Sequence, residues 1–425
     1  MSETVTLIVW IAVVGYYVVY ALTIASVTQT SRNHRRSHDT SLSLGRARPG
    51  AGLMESVQRF LARPGIVDCA PYDARHHDAA WRLAGADRLM SNEGPLPPSA
   101  HVLAAARAAL EVCNLYPSSG EDVRLAVAGF SGAAPESVVL GNGSTEVLDL
   151  VIRMFVGPGD ETIVAVPTYA FFETQTRLQG GTPVLVPLTD SFGLDVDAIR
   201  AAVTPRTKLV FLCSPNNPTG NAWGKAELEA ILATGVPTLV DQAYLECGHS
   251  TSFTPLVAVH PNLVVTRTFS KAFGLAALRI GYGVMHPELA DAVLRLRIPF
   301  SPSLPALRAA LAAISDPSEI EERRRYISTE RERVFAALAA LPGLHPFPSE
   351  GNFILMDLAG SSRSSEEIIR LARAERILLR AMGSHRLRGT HLRVTVGTTV
   401  QNDRFLAFFD ALLNRGEAVA AGRLA

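Results

Sequence analysis

Residues Thr266–Tyr282 read TRTFSKAFGLAALRIGY and place Lys271 between a serine and an Ala-Phe-Gly turn. The chain has only three lysines, and the rest of its Lys and Arg total of 40 is arginine. An amine forms a Schiff base and a guanidinium does not, so a lysine at this position indicates covalent chemistry. We expect Ser270 and Arg279, which flank the lysine, to hold an anion. The alternative interpretation is a surface lysine in a glycine-containing loop.

Elsewhere in the chain, several apolar runs are each followed directly by a polar turn. The apolar runs predict buried strands of a parallel sheet, and open α/β sheets bind ligands at the carboxyl ends of such strands. The three clearest are residues 138–140 before Gly-Asn-Gly-Ser-Thr-Glu, 209–213 before Ser-Pro-Asn-Asn-Pro-Thr-Gly, and 237–240 before Asp-Gln-Ala-Tyr.

The turn at Gly141–Glu146 precedes an amphipathic run, Val147–Phe155, which predicts a helix. Backbone N–H groups and the helix dipole favour an anion at such a helix N-terminus. We therefore predict an anion site there.

Strands alternate with helix-like stretches from about residue 138 to 285, which predicts a large, doubly wound, mostly parallel α/β domain. Three further strand patterns, at residues 351–356, 377–380 and 392–398, predict a smaller α+β domain. The predicted boundaries are 87–137 for an N-terminal segment, 138–312 for the large domain and 313–417 for the small domain. The run Arg323–Arg325 lies in a charged, helix-like stretch and is interpreted as a solvated face.

The apolar stretch Val5–Val27 carries no charged residue and is long enough to span a bilayer as a helix. Arginines follow it and a single glutamate precedes it, so the positive-inside rule places the catalytic body in the cytoplasm. Residues 1–30 are thus a predicted transmembrane anchor, and residues 31–86 a linker and N-terminal arm. The alternatives are a packed hydrophobic helix, or a protein that starts at Met54 and lacks this segment.

Composition excludes other classes of function. The formal net charge is zero, which gives no indication of nucleic-acid binding. The four cysteines form no CxxC pair and no histidine cluster has metal-site spacing, so we expect reduced thiols and no metal.

Taken together, these motifs resemble those of the fold-type I pyridoxal-phosphate (PLP) aminotransferases, and most closely the histidinol-phosphate aminotransferase family. The resemblance covers roughly residues 88 to 415. It rests on the lysine stretch, on Ser214–Gly220, on Asp241 with Tyr244, on Pro-Thr-Tyr at 167–169 and on Ser-Asn-Glu-Gly-Pro at 91–95. The spacing suits the family, with 24 residues from Asn217 to Asp241 and 30 more to Lys271.

The resemblance implies a role for each matching residue around PLP. Lys271 would carry the cofactor and act as general base, with Asp241 on the pyridine nitrogen and Tyr169 stacked on the ring. Asn217 and Tyr244 would bond the O3′ atom. Around the phosphate the resemblance puts Ser144, Thr145, Ser270 and Arg279, together with Tyr116 reaching from the partner of a homodimer.

The resemblance also implies substrates, an amino donor and a 2-oxo acid acceptor such as 2-oxoglutarate. Asn92, Asn352, Arg380 and Arg393 match positions that bind substrate, and a pair of arginines suits a dianion such as a phosphorylated amine. The chain departs from the family at Gly94, Pro97, Ser118 and Thr145, which leaves substrate specificity open.

Several alternatives stay open at this point. Tyr116 and Asn217 are also explained as turn residues, Tyr169 as a core tyrosine, Asp241 as a helix cap and Arg380 as a member of a surface ion pair. The competing functions are a PLP decarboxylase of a phosphorylated amino acid, an aminotransferase of specialised metabolism and, remotely, a membrane-tethered binding protein without enzymatic activity.

Overall fold

A computed structural model describes residues 64–67, 69–71, 73–361, 363–383 and 385–421. The predicted anchor and the part of the linker up to residue 63 lie outside these ranges. Within them, none of the helices is both long and apolar enough to cross a membrane. The cysteines at positions 69, 113, 213 and 247 are all free within the described residues, and their reduced state stays a prediction.

Helices form the outer layers of the protein. In the described ranges they are α1 (Pro64–Val67), α2 (Arg75–Arg82), α3 (Ala100–Leu110), α4 (Glu121–Ser131), α5 (Gly143–Phe155), α6 (Phe171–Leu178), α7 (Val196–Ala201), α8 (Lys225–Leu232), α9 (Pro287–Leu296), α10 (Leu304–Ile314), α11 (Pro317–Ala339), α12 (Ser365–Ala374) and α13 (Thr399–Ala421). Side chains cap the N-termini of three of these helices. Asp195, Asp316 and Ser364 each precede a helix and accept a hydrogen bond from the backbone N–H of its third residue.

The strands within the described residues form a large sheet, a small sheet and a two-stranded pair. They are β1 (Asp87–Arg88), β2 (Val138–Gly141), β3 (Glu161–Val166), β4 (Thr182–Pro187), β5 (Thr207–Cys213), β6 (Thr238–Asp241), β7 (Leu263–Thr268), β8 (Gly281–Met285), β9 (His345–Pro346), β10 (Phe353–Asp357), β11 (Ile377–Leu378), β12 (Arg380–Ala381) and β13 (His391–Thr395).

The large sheet has the order β2-β8-β7-β6-β5-β3-β4 among the described strands. Only β8 runs against its neighbours, and the other adjacent pairs are parallel. Successive residues of one strand pack on opposite faces: Val210 and Leu212 lie in one hydrophobic cluster, and Leu209 and Phe211 in another. Because helices cover both clusters, the sheet is doubly wound and mostly parallel, as the sequence predicted.

The small sheet has the order β12-β13-β10-β9, with every described pair antiparallel. Its apolar face packs on helices α11, α12 and α13 through residues such as Val334, Ile368 and Phe405. The strands of the large sheet lie between residues 138 and 285, and those of the small sheet between 345 and 395. The domain boundaries proposed from the sequence stay predictions.

Two details differ from the sequence-based expectations. The segment 377–380, expected as one strand, divides into β11 and β12, which belong to different sheets. The prediction that Arg323 lies on a solvated face was wrong, since its side chain is buried and donates to the carbonyl oxygens of Leu96 and Pro97, at 3.3 and 2.5 Å. Helix α11 therefore holds the loop that precedes α3.

Candidate active site

The carboxyl ends of the parallel strands gather the predicted catalytic side chains. Register pairs Cys213 with Asp241 and Asp241 with Thr266, so β5, β6 and β7 end at the same level of the sheet. Lys271 follows β7 at this edge. Since β8 is antiparallel, its first residues, which follow Arg279, start at the same edge.

Lys271 points its amine toward the turn before α3 and toward Tyr244. Its Nζ lies 3.4 Å from the carbonyl oxygen of Ser91 and 5.5 Å from the centroid of the Tyr244 ring. Burial lowers the pKa of this lysine to about 8, and the positive charges of Arg393 and Arg279 act in the same direction. With this pKa about one-tenth of Lys271 is a neutral amine at pH 7, far more than of an ordinary lysine.

Asp241 is 4% exposed and accepts a hydrogen bond from the Thr266 hydroxyl at 2.9 Å. Burial raises the pKa of this carboxyl to about 6, against the opposing effects of the Thr266 bond and the Lys271 charge. A buried carboxylate of this kind is suited to pair with a cationic nitrogen of a bound ring. Its position at the end of β6, with no helix following directly, argues against the helix-cap alternative.

An anion cradle forms where helix α5 begins. Gly143, its first residue, has φ of +72°, and a Cβ there would lie 2.5 Å from Nη2 of Arg279. The same guanidinium donates to the Ser270 hydroxyl at 3.3 Å and has no carboxylate partner among the described residues. Ser144 and Thr145 occupy the first turn of α5 beside it. The predicted phosphate residues are thus brought together around a helix N-terminus.

Asn92 links the N-terminal segment to the two sheets. Its Nδ2 donates to the Tyr244 hydroxyl at 3.0 Å, and its backbone N–H donates to the Thr395 hydroxyl at 2.9 Å. Asn352 donates to the carbonyl oxygens of Asn92 and Glu93, both at 3.1 Å. The buried Asn352 Oδ1 has no hydrogen-bond partner in the described part of the chain. Burial also raises the pKa of the Tyr244 hydroxyl, which stays protonated as a donor.

The two predicted substrate arginines lie opposite each other on adjacent antiparallel strands. Register pairs Arg380 of β12 with Arg393 of β13, so both side chains leave the same face of the small sheet. Arg393 donates to Asn217 Oδ1 and, at 3.0 Å, to the carbonyl oxygen of Met90. Within the described residues the Arg380 side chain makes no hydrogen bond or ion pair, and its assignment as a substrate residue stays a prediction.

The two predicted aromatic residues differ in their surroundings. Tyr169 is half-buried and stacks on Phe171, with ring centroids 5.6 Å apart. Tyr116 is 77% exposed and stacks on the exposed Phe300 at 4.1 Å. No contact joins Tyr116 to the other predicted site residues in this chain.

Some residues that hold predicted site residues or their neighbours in place were not predicted from the sequence. Thr266 orients Asp241, and Thr395 holds the backbone of Asn92. Glu93 is neutralised by a bidentate bond from Arg88, at 2.9 and 2.6 Å. Thr266 and Thr395 carried a sequence signal, since a polar residue at a buried strand position needs a partner.

Comparison with known proteins identifies the family. A family model described as aminotransferase class I and II matches residues 88–409. The chain belongs to the class I and II aminotransferases. Similar curated proteins include histidinol-phosphate aminotransferases from Anaeromyxobacter sp. and Methanosarcina barkeri, each 36% identical over 83% of this chain and 99% and 98% of theirs. A crystal structure of histidinol-phosphate aminotransferase from Sinorhizobium meliloti in complex with pyridoxal-5′-phosphate is 28% identical, with a TM-score of 0.73, covering 82% of this chain and 97% of that one.

These findings confirm the fold-type I architecture, the PLP cofactor and the transaminase activity predicted from the sequence. The described residues of this aminotransferase fit the cofactor. Gly143 and Gly281 leave the cradle open, because a Cβ at Gly281 would meet the backbone nitrogen of Ser144. A cradle of backbone N–H groups with a guanidinium that has no carboxylate partner among the described residues suits a phosphate, and Asp241 suits a pyridinium nitrogen.

Proposed function

We propose that this aminotransferase transfers an amino group between histidinol phosphate, or a similar amino acid or amine, and 2-oxoglutarate. The observation that carries the proposal is the pairing of Arg380 with Arg393 across two strands. Like charges directly opposite each other destabilise a sheet unless an anion lies between them. The same Arg393 charge lowers the pKa of Lys271, so the arginine pair lies within electrostatic reach of the amine. A substrate with a reactive amine at one end and a dianion at the other matches this layout.

We further propose that PLP is held by the residues that the sequence singled out. Ser144, Thr145, Ser270 and Arg279 would bind its phosphate. Tyr169 would lie against the ring, and Asn217 and Tyr244 would donate to its O3′ atom. When bound, the protonated pyridine ring withdraws electron density from the substrate Cα.

The chain's own groups then supply the acid–base chemistry. Asp241, ionised above a pH of about 6, would keep the ring nitrogen protonated. Lys271 Nζ would take the Cα proton, for which its lowered pKa is suited. Asn92 and Asn352 would line the substrate side, where Asn352 Oδ1 offers an acceptor that no described residue uses.

We also propose that the enzyme is a homodimer. Tyr116 and Phe300 form an exposed aromatic stack, and exposed Leu115 and Ile298 belong to the same two loop regions. An apolar patch of this kind favours a protein partner, and a second copy would receive Tyr116 at its cofactor phosphate. Sedimentation of Phe300→Asp against the native protein tests this, with a shift toward monomer expected.

The location of the enzyme is a separate proposal. We place the catalytic body in the cytoplasm, with residues 5–27 as its membrane tether, on the strength of the apolar run and the arginines that follow it. Alkaline extraction of membranes tests the tether. A chain from Met1 should remain in the pellet and a chain from Met54 in the supernatant, whereas release of both would exclude it.

The deciding experiment is an assay of glutamate formed by the PLP-loaded enzyme from 2-oxoglutarate. Histidinol phosphate should be the better donor, and histidinol, which lacks the phosphate, a poorer one. Release of CO2 from a phosphorylated amino acid without glutamate would favour the decarboxylase alternative. Glutamate formed only from other amines would favour an aminotransferase of specialised metabolism.

A further inference from the structure

The loop between β12 and β13, residues 382–390, joins the two strands that carry the substrate arginines. It leaves the small sheet and contacts the large-sheet side of the molecule. From these contacts we infer that Arg386 is a positioning residue, which ties this loop to the large-sheet side and thereby fixes Arg380 for a phosphorylated substrate. The inference rests on the proposed function, since it concerns the substrate end of the same site.

Arg386 makes three contacts with the segment that follows β4 of the large sheet. Its guanidinium carbon lies 4.4 Å from the centroid of the Phe192 ring, and its Nη2 donates to the carbonyl oxygen of Thr189 at 2.5 Å. Its Nη1 lies 3.5 Å from the carboxylate of Asp190. Because Asp190 is fully exposed, that ion pair contributes little, and the aromatic face and the carbonyl provide the anchorage. The neighbouring His385 lies 3.7 Å from Glu173 of α6.

Phe192, which Arg386 contacts, is itself held in place by its neighbours. Phe192 is 4% exposed, and its ring meets Phe347 edge-on at 5.0 Å. The Phe192 carbonyl oxygen accepts a bond from Asn221 Nδ2 at 2.6 Å. The Asn221 carbonyl oxygen in turn accepts the backbone N–H of Asn216 at 2.7 Å. Arg386 is thus anchored to the turn that contains Asn217.

The hairpin of β12 and β13 is connected to the turn that contains Asn217 at two places. Asn217 Oδ1 accepts a bond from Arg393, so the β12–β13 hairpin is tied to this turn at a strand and again at its loop. Arg393 has a further bond to Met90, whereas the described residues offer Arg380 none. Arg380 lies at the end of the hairpin that leads into the loop. Its position therefore depends on the backbone of β12, and that backbone depends on the Arg386 anchor.

The test compares Arg386→Ala with a matched control, Arg388→Ala, in the PLP-loaded enzyme. Arg388 belongs to the same loop, and among the described residues its side chain donates to the Gly383 carbonyl oxygen, within that loop, at 3.0 Å. For Arg386→Ala we expect KM for histidinol phosphate to rise about three- to tenfold, with kcat nearly unchanged, because a cation–π contact and a hydrogen bond are lost. KM for unphosphorylated histidinol should hardly change. Arg386→Lys, which keeps the cation–π contact, should restore part of the effect.

A second readout does not depend on the substrate. Hydrogen exchange of the peptide that covers residues 380–393 should quicken in Arg386→Ala, including at Met382, whose N–H donates to His391. If the native enzyme shows no preference for the phosphorylated amine, the proposed function fails while exchange still reports on the anchor. If that preference exists and Arg386→Ala changes neither KM nor exchange relative to Arg388→Ala, the inference is wrong.

Discussion

At the carboxyl edge of the large sheet, Asp241 is 4% exposed and already accepts a bond from Thr266. On the small sheet, the Arg380 side chain is half-buried and contacts no partner among the described residues, although it faces another arginine. The cofactor side is thus built from buried groups with internal partners. The substrate side instead places two positively charged side chains opposite each other on adjacent strands.

The two sides of the site are therefore made ready for their ligands in different ways. Burial is the largest cause that moves the pKa values of Asp241 and Lys271 toward neutrality, before any ligand binds. The arginine pair instead sets two like charges opposite each other across adjacent strands, an arrangement that a bound anion would stabilise. Changes on the cofactor side should therefore alter the chemical step, and changes on the substrate side should alter affinity.

The largest effect should follow from replacing Lys271 by alanine. Turnover should fall by about 10⁴-fold or more, because the variant loses both the covalent anchor and the proton acceptor. Steady-state transamination measures the loss. Lys225→Ala is the matched control, since Lys225 lies exposed on α8 beside Glu229. Near-native turnover in the Lys271 variant would sink the assignment of that lysine.

Asp241→Asn should reduce kcat by about 10²- to 10³-fold, the usual effect of removing one electrostatic group from a site. The amide keeps the shape of the carboxylate but cannot hold a ring nitrogen protonated. Presteady-state and steady-state rates measure the loss, and Asp197→Asn, on the exposed surface of α7, is the control. An unchanged kcat would mean that Asp241 serves only the fold.

The pH dependence of stability should also reveal Asp241 in the cofactor-free protein. Its folded pKa of about 6 lies above its ordinary value of 3.8, so the folded state binds more protons between those pH values. The free energy of unfolding should fall as pH rises through that window, by about 3 kcal/mol from this group. Urea unfolding at several pH values should show the slope, and Asp241→Asn should lack this part of it.

Lys271 should give a slope of opposite sign at higher pH. Its folded pKa of about 8 lies below the ordinary 10.5, so the unfolded chain binds more protons between these values and stability rises with pH there. Lys271→Ala, measured in the same urea series, should remove that rise. Equal slopes in variant and native protein would contradict the burial of this amine.

On the substrate side, Arg380→Ala should raise KM for histidinol phosphate about ten- to thirtyfold, with a smaller change in kcat. Arg370→Ala, on the exposed face of α12, should leave KM unchanged. Removing Arg380 should also relieve the repulsion of Arg393, so the ligand-free variant should not be less stable. If the Arg380 variant is destabilised but binds the phosphorylated amine normally, Arg380 serves the fold and not the affinity for substrate.

The cofactor side could be predicted from the sequence because its signals are local. The strands before Asn217 and Asp241 are apolar runs, and the predicted limits of both lie within two residues of the observed ones. Asp241 directly follows the second predicted run, and Asn217 lies in the turn after the first, four residues beyond Cys213. Parallel strands bring those ends together without further information.

The rest depends on contacts between distant parts of the chain. Asn92 bonds Tyr244 across 152 positions, and Arg393 bonds Asn217 across 176, which no local pattern reveals. Arg323 looked solvated because its neighbours in α11 are charged, yet it is the residue that turns inward. Tyr116 has no contact with another predicted site residue among the described residues, so its proposed role requires a second copy.

Helix α11 also limits how the length of this enzyme can change. Its 23 residues run for about 34 Å, and they hold separate parts of the molecule at fixed angles around one axis. Arg323 reaches the loop before α3, and Arg331 donates to the carbonyl oxygens of Cys247 and Gly351, at 2.7 and 3.0 Å. One residue inserted between these arginines would rotate the second half by about 100° and separate them from their partners. Insertions should therefore accumulate in surface loops, such as the one between β10 and α12, and be absent from this helix in libraries selected for activity.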